Sequence, residues 1–206
     1  MIALAAWVLS LPLRIAWQLG IRRTLIVVCL LVVAVTGYGV AEDLGLVGDS
    51  LAQARAQQVP PSRIAIADIP AGYRRLYLLA ARRCPGLSWA VLAAIGKLES
   101  DHGRARLPGV HSGWNRAGAA GPMQFGIGKG RAGNAWARYG AVFDRDGHPS
   151  VYDPGDAIPA AARYLCAAGA PRRLDTALYA YNHSWAYVAR VKRLARGYVA
   201  DGGGRR

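Results

Sequence analysis

Residues Ser88 to Gly103 read SWAVLAAIGKLESDHG and give the clearest helix in the chain. Ser88 is a helix N-cap by type, apolar residues then recur at helical spacing, and Gly103 marks the stop. Leu92, Ile95, Gly96 and Glu99 therefore share one face. A carboxyl held against that apolar stripe loses hydration, which disfavours its ionised form and raises its pKa toward the range of a general acid near neutral pH. That is the chemistry of glycosidic bond cleavage. Glu99 is also the only glutamate from Ala71 to the C-terminus. The competing reading is a surface glutamate fraying into solvent in the last helical turn.

Outward from this helix, the same periodicity predicts helices at Ala71 to Cys84, Ala157 to Ala168, Arg172 to Asn182 and Ser184 to Tyr198. Gly169 and Pro171 separate the third of the five from the fourth. Strand signals are few and no long repeat is visible. The pattern by itself predicts one α-rich domain over residues 71–198, long enough for a single core, followed by a short flexible basic tail over 199–206.

Two further clusters lie in this domain. After a glycine-rich stretch comes AAGPMQF, Ala119 to Phe125, and near the C-terminus comes LYAYNHSW, Leu178 to Trp185. With Glu99-Ser100, Gly121-Pro122-Met123-Gln124-Phe125 and Ala180-Tyr181-Asn182 in this order, residues 70–198 resemble the catalytic domain of the soluble lytic transglycosylases, relatives of goose-type lysozyme. The resemblance implies a mainly helical, lysozyme-like α+β fold. It also implies that Glu99 protonates the glycosidic oxygen between N-acetylmuramic acid and N-acetylglucosamine in peptidoglycan. Glu99 then takes the proton of the muramyl 6-hydroxyl, which closes a 1,6-anhydro ring. Ser100, Met123, Gln124, Tyr179, Tyr181 and Asn182 are the expected substrate-binding residues, with Met123 offering an apolar surface to a sugar and Gln124 an amide. Tyr181 is expected to place its hydroxyl near Glu99 or the substrate. Tyr179, two positions away on the same helix, faces elsewhere and weighs less. Phe125 reads as core. One departure is Ser184, where the family's motif often has glycine, and it bears on local backbone geometry.

A two-carboxylate hydrolase needs a second acid at a defined distance from the first. Asp153 and Asp156 in YDPGDAIP read as helix capping, and Asp175 as a first-turn charge suited to the helix dipole. Asp101 should point away from Glu99. Asp144-Arg145-Asp146-Gly147 resembles a fragment of a calcium loop but lacks the closing glutamate, so it reads as a polar turn. His102, His111, His148 and His183 show no zinc spacing, and GIGKG at Gly126 to Gly130 is no nucleotide-binding pattern. No metal or cofactor is expected. A hydrolase of the same fold and a non-catalytic wall-binding module are the alternatives to the transglycosylase.

Residues 24–41, TLIVVCLLVVAVTGYGVA, are uncharged and apolar over about 18 positions, roughly 27 Å as a helix and enough to cross a bilayer core. Arg14, Arg22 and Arg23 precede this run and Glu42 and Asp43 follow it, which places residues 1–23 in the cytoplasm or at the inner membrane surface and the domain outside. A cleaved signal peptide ending at Gly39-Val40-Ala41 is the other reading. Residues 42–70, rich in Ala and Gln with Pro60, Pro61 and Pro70, read as a linker reaching at most roughly 100 Å. Cys29 lies in the apolar run, whereas Cys84 and Cys166 fall in the outer domain, where an oxidising compartment permits a bridge; two separate thiols fit the sequence nearly as well. The net charge of +14, with Arg190, Lys192, Arg193 and Arg196 on the last helix, suits an anionic wall or a simply solvated helix face. No nucleic-acid module is present. The partners implied are peptidoglycan glycan strands, the membrane through the N-terminal helix, and a cell-envelope secretion or division assembly.

Overall fold

The computed structural model describes residues 59–143 and 147–199, all within Leu51–Arg206, the second of two units into which the chain divides. The apolar run with its flanks, Cys29, Asp144, Asp146 and residues 200–206 lie outside the described residues. No helix among the described residues is long and apolar enough to cross a membrane.

Seven helices carry this part of the chain: α1 Arg63–Asp68, α2 Ala71–Ala81, α3 Trp89–Ser100, α4 Ala135–Tyr139, α5 Pro154–Ala167, α6 Leu174–Asn182 and α7 Trp185–Tyr198. Between α3 and α4 lies one short antiparallel hairpin, β1 Ala119–Ala120 and β2 Phe125–Gly126, with Ala120 opposite Phe125. The domain is therefore mainly helical, as the periodicity predicts. At its centre is α3, whose residues from Trp89 to Gly96 are all buried. A helix apolar on every side must be surrounded, and α3 packs against α2, α5 and α7. Ser88 caps it as expected, accepting from the Ala90 amide.

Gly96 is required by this packing. A Cβ there would meet the Tyr77 hydroxyl of α2 at 2.0 Å, far inside van der Waals contact. Cys84 and Cys166 form a disulfide, Cα to Cα 5.6 Å, that fastens the turn after α2 to the last turn of α5.

Several boundaries differ from the sequence expectation, α6 for one starting at Leu174 rather than Arg172. Helix α2 stops at Ala81 rather than Cys84, because Pro85 disfavours helical backbone in the residue before it and Gly86 takes φ +87°. Helix α5 begins at Pro154, three residues early, with Asp153 capping it through the Gly155 amide and proline in the first turn. The stretch expected as linker is packed onto the domain from Val59 onward. Trp89 donates its indole N–H to the Val59 carbonyl at 2.8 Å, Ser62 caps α1 and bonds to Gly197 and Tyr198 of α7, and Pro61 bridges Val199.

Candidate active site

Glu99 sits in the last turn of α3, and the chain beyond it is held by charge. Asp101 and His102 both adopt left-handed backbone conformations that end the helix. Asp101 accepts from Lys97 and from Arg104, each at 2.7 Å, and both cations also reach Asp68 at the end of α1. Against the opposing effect of burial, hydrogen bonds from Lys97 and Tyr198 to Asp68, and from Arg104 and Lys97 to Asp101, hold both carboxyls at about 2, well below the usual range. Beneath them lies His102, 1% exposed, with Nδ1 3.0 Å from the Tyr77 hydroxyl. Burial lowers its pKa to about 4, so the ring is neutral at pH 7. The segment thus supports Glu99 from below and contributes no second carboxylate to it.

The hairpin is aimed at the same point. Its connection is Gly121-Pro122-Met123-Gln124, with Gly121 at φ +78° and Gln124 at φ +50°. A Cβ on Gly121 would lie 1.8 Å from the Val151 carbonyl oxygen, so glycine alone fits. Ser100 donates to the Pro122 carbonyl at 2.7 Å and accepts from the Gly103 amide at 2.8 Å, tying the end of α3 to the hairpin. Tyr181 of α6 donates to the Met123 carbonyl at 2.8 Å from the other side. Its ring is wedged edge-on against Phe125 and Tyr164.

The result is a cleft of about 500 Å³ with Glu99 in its wall. Asn115, Gln124, Arg131, Tyr164, Tyr181, Asn182 and His183 also line it. Gln124 accepts from Asn115 through Oε1 and donates to the Gly121 carbonyl, each at 2.8 Å, which leaves one amide N–H for a ligand. Glu99 is half-buried and, among the described residues, is the only acidic one that lines the cleft. Loss of hydration raises its pKa from the ordinary 4.5 to about 7, opposed by one hydrogen bond, which Tyr187 of α7 donates to Oε1 at 2.7 Å. Tyr187 is itself buried, and burial together with the Glu99 charge keeps its phenol neutral and donating. Among the described residues, no hydrogen bond beyond that from Tyr187 reaches the Glu99 carboxyl.

Of the expected site residues, the cleft brings together Glu99, Gln124, Tyr181 and Asn182. Ser100 and Met123 are 1% and 0% exposed. The Ser100 hydroxyl is consumed between helix and hairpin, and Met123 packs in the core, so these two shape the site from behind rather than presenting a side chain to a ligand. Tyr179 is outside the lining and stacks on Trp185. The hydroxyl bonded to Glu99 is that of Tyr187, while Tyr181 lies close enough for the Glu99 charge to act on its phenol and donates to the Met123 carbonyl instead. Ser184, where the resembled motif often has glycine, is extended, φ −139°, needs no glycine here, and caps α7 by accepting from the Tyr187 amide. Asp153, Asp156 and Asp175 lie on α5 and α6 away from the lining, with Asp156 accepting from the Phe143 and Ser150 amides.

Among the described residues, no group of His, Cys, Asp and Glu is arranged to hold a metal ion. No family model, no curated protein and no solved structure matches this chain.

Proposed function

We propose that the chain is a membrane-anchored peptidoglycan lytic transglycosylase of lysozyme-like fold, cleaving the β-1,4 bond between N-acetylmuramic acid and N-acetylglucosamine. The observation that carries this reading is a single carboxyl, raised by burial to about 7, in the wall of a sugar-sized cleft with no second acid in its lining among the described residues. An acid with that pKa is substantially protonated at neutral pH and regains its proton readily, which suits a group that serves first as acid and then as base.

In this mechanism Glu99 gives its proton to the glycosidic oxygen as the bond to the anomeric carbon breaks. The resulting carboxylate then accepts the proton of the muramyl 6-hydroxyl, whose oxygen attacks the anomeric carbon. The ring closes as a 1,6-anhydro sugar, and no water is consumed. Two-carboxylate glycosidases hold their acids roughly 5–9.5 Å apart, an arrangement for which the described residues of this cleft supply one member. Tyr187 fixes the carboxyl rotamer and stabilises its ionised form between the two steps. Gln124 and Asn182 offer amides for N-acetyl groups and ring hydroxyls. The Cys84–Cys166 disulfide supports an oxidising compartment for the domain, and the apolar run would tether it there.

The reading is tested by incubating purified peptidoglycan with the full-length chain and with its Glu99→Gln variant. Soluble muropeptides released by the first and not by the second are expected. Binding without release by either chain would make it a wall-binding module instead.

A further inference from the structure

Trp185, at the first position of α7, is the most exposed of the described tryptophans, 62% open. It adds nothing to capping, which Ser184 performs. One face of the indole is covered: Tyr179 stacks on it, ring centroids 4.7 Å apart and planes 28° from parallel. The remaining exposure therefore belongs to the opposite face and the ring edges. Trp114, also exposed, carries the Lys129 ammonium over its ring at 5.6 Å. No such cation lies over Trp185 among the described residues.

The stacked pair is continuous with the cleft. Tyr179 meets the His183 ring edge-on at 5.8 Å, and His183 lines the cleft wall beside Asn182. His183 is held in a left-handed conformation at the end of α6, bonded through its amide to the Tyr179 carbonyl. The open indole is thus fixed between the end of one helix and the start of the next, at the border of the site. The exposed indole and the tyrosine behind it form one aromatic surface next to a cleft-lining residue, where a bound ligand that extends past the cleft can reach it.

Its shape selects the ligand. A β-linked pyranose with equatorial substituents turns axial C–H groups to both ring faces, and the negatively polarised face of an indole attracts them. We propose that Trp185, backed by Tyr179, is a stacking platform for a sugar ring of the glycan beyond those held over Glu99. The proposal rests on the glycan-cleaving reading of the cleft, and it makes the site longer than its 500 Å³ core. Short saccharides fill the core alone, whereas long strands gain the platform.

The test is calorimetric binding of chitobiose and chitohexaose to the full-length Glu99→Gln chain, with Trp185→Ala and Trp185→Phe added to it. The parent should bind chitohexaose more tightly than chitobiose. Trp185→Ala should weaken chitohexaose by about fivefold to tenfold, the size of one aromatic stacking contact, and leave chitobiose unchanged; Trp185→Phe should keep most of the affinity. Chitohexaose binding that survives Trp185→Ala intact overturns the platform, as does equal weakening of both saccharides. If the parent binds neither saccharide and the wild type releases nothing from peptidoglycan, the functional reading fails and the platform with it.

Discussion

Replacing Glu99 by glutamine should stabilise the folded chain at neutral pH. The carboxyl takes up its proton near pH 7 when folded but near its ordinary 4.5 when unfolded. Between these values the folded chain binds a proton that the unfolded chain has released, so stability falls as pH rises, at about 1.36 kcal/mol per pH unit. The loss begins at about 4.5, levels off above about 7, and reaches roughly 3 kcal/mol at most. Since Glu99 keeps some contact with solvent in the cleft, about 2 kcal/mol is the working figure. Glutamine does not titrate, and its carbonyl can still accept from Tyr187, whose hydroxyl lies 2.7 Å from Oε1. Urea unfolding of both full-length chains, followed by circular dichroism, gives the comparison. The variant should gain about 2 kcal/mol at pH 7.5 and almost nothing at pH 4. An equal gap at the two pH values, or a less stable variant at pH 7.5, would refute the claim that burial holds this carboxyl protonated.

Other outcomes follow from the same geometry. Tyr187→Phe removes the one hydrogen bond that opposes the raised Glu99 pKa, so the alkaline limb of the pH–rate profile should move upward. Peptidoglycan cleavage should fall by about tenfold or more, as a hydrogen bond to a charged group is worth about 1.5–3 kcal/mol. Gly96→Ala drives a methyl into the Tyr77 hydroxyl, which is itself bonded to buried His102, and should cost about 1–3 kcal/mol in chemical unfolding. Cys84→Ser opens a loop with a sequence separation of 82 residues. The urea midpoint should fall by an amount equivalent to about 4 kcal/mol in the chain-entropy account.

How much of this was readable beforehand depended on the range of the interactions. The α3 helix was legible because Ser88, the apolar repeat and the stop after Ser100 are local signals, and the placement of Glu99 on its inner face followed. Residues 59–70 carry no such signal. Pro60, Pro61 and Pro70 look like linker, Ile64 and Ile66 of α1 face solvent, and α1 is held by a cap and by hydrogen bonds to α7 from more than a hundred residues away. In the site, Tyr187 shares a buried stripe with Val191, Ala195 and Tyr198 that helical spacing reveals. That its hydroxyl meets Glu99 depends on the packing of α7 across α3, which periodicity does not encode. Asn115 could have been suspected as a turn former ahead of β1, where its side chain accepts from the Ala117 and Ala119 amides. Ser100 and Met123 lie in the motifs that carry the resemblance, and only tertiary burial reveals that their side chains work behind the cleft surface.

What becomes of the anomeric carbon is recorded in the chemical ends of the released fragments. Muropeptides freed by the full-length chain would be treated with borohydride and weighed by mass spectrometry beside products of a hydrolytic muramidase. A 1,6-anhydro ring requires ends that weigh one water less than the hydrolytic products before reduction and that take up no hydride. Ends that take up hydride, formed in a Glu99-dependent way, would show water as the acceptor and contradict the intramolecular mechanism.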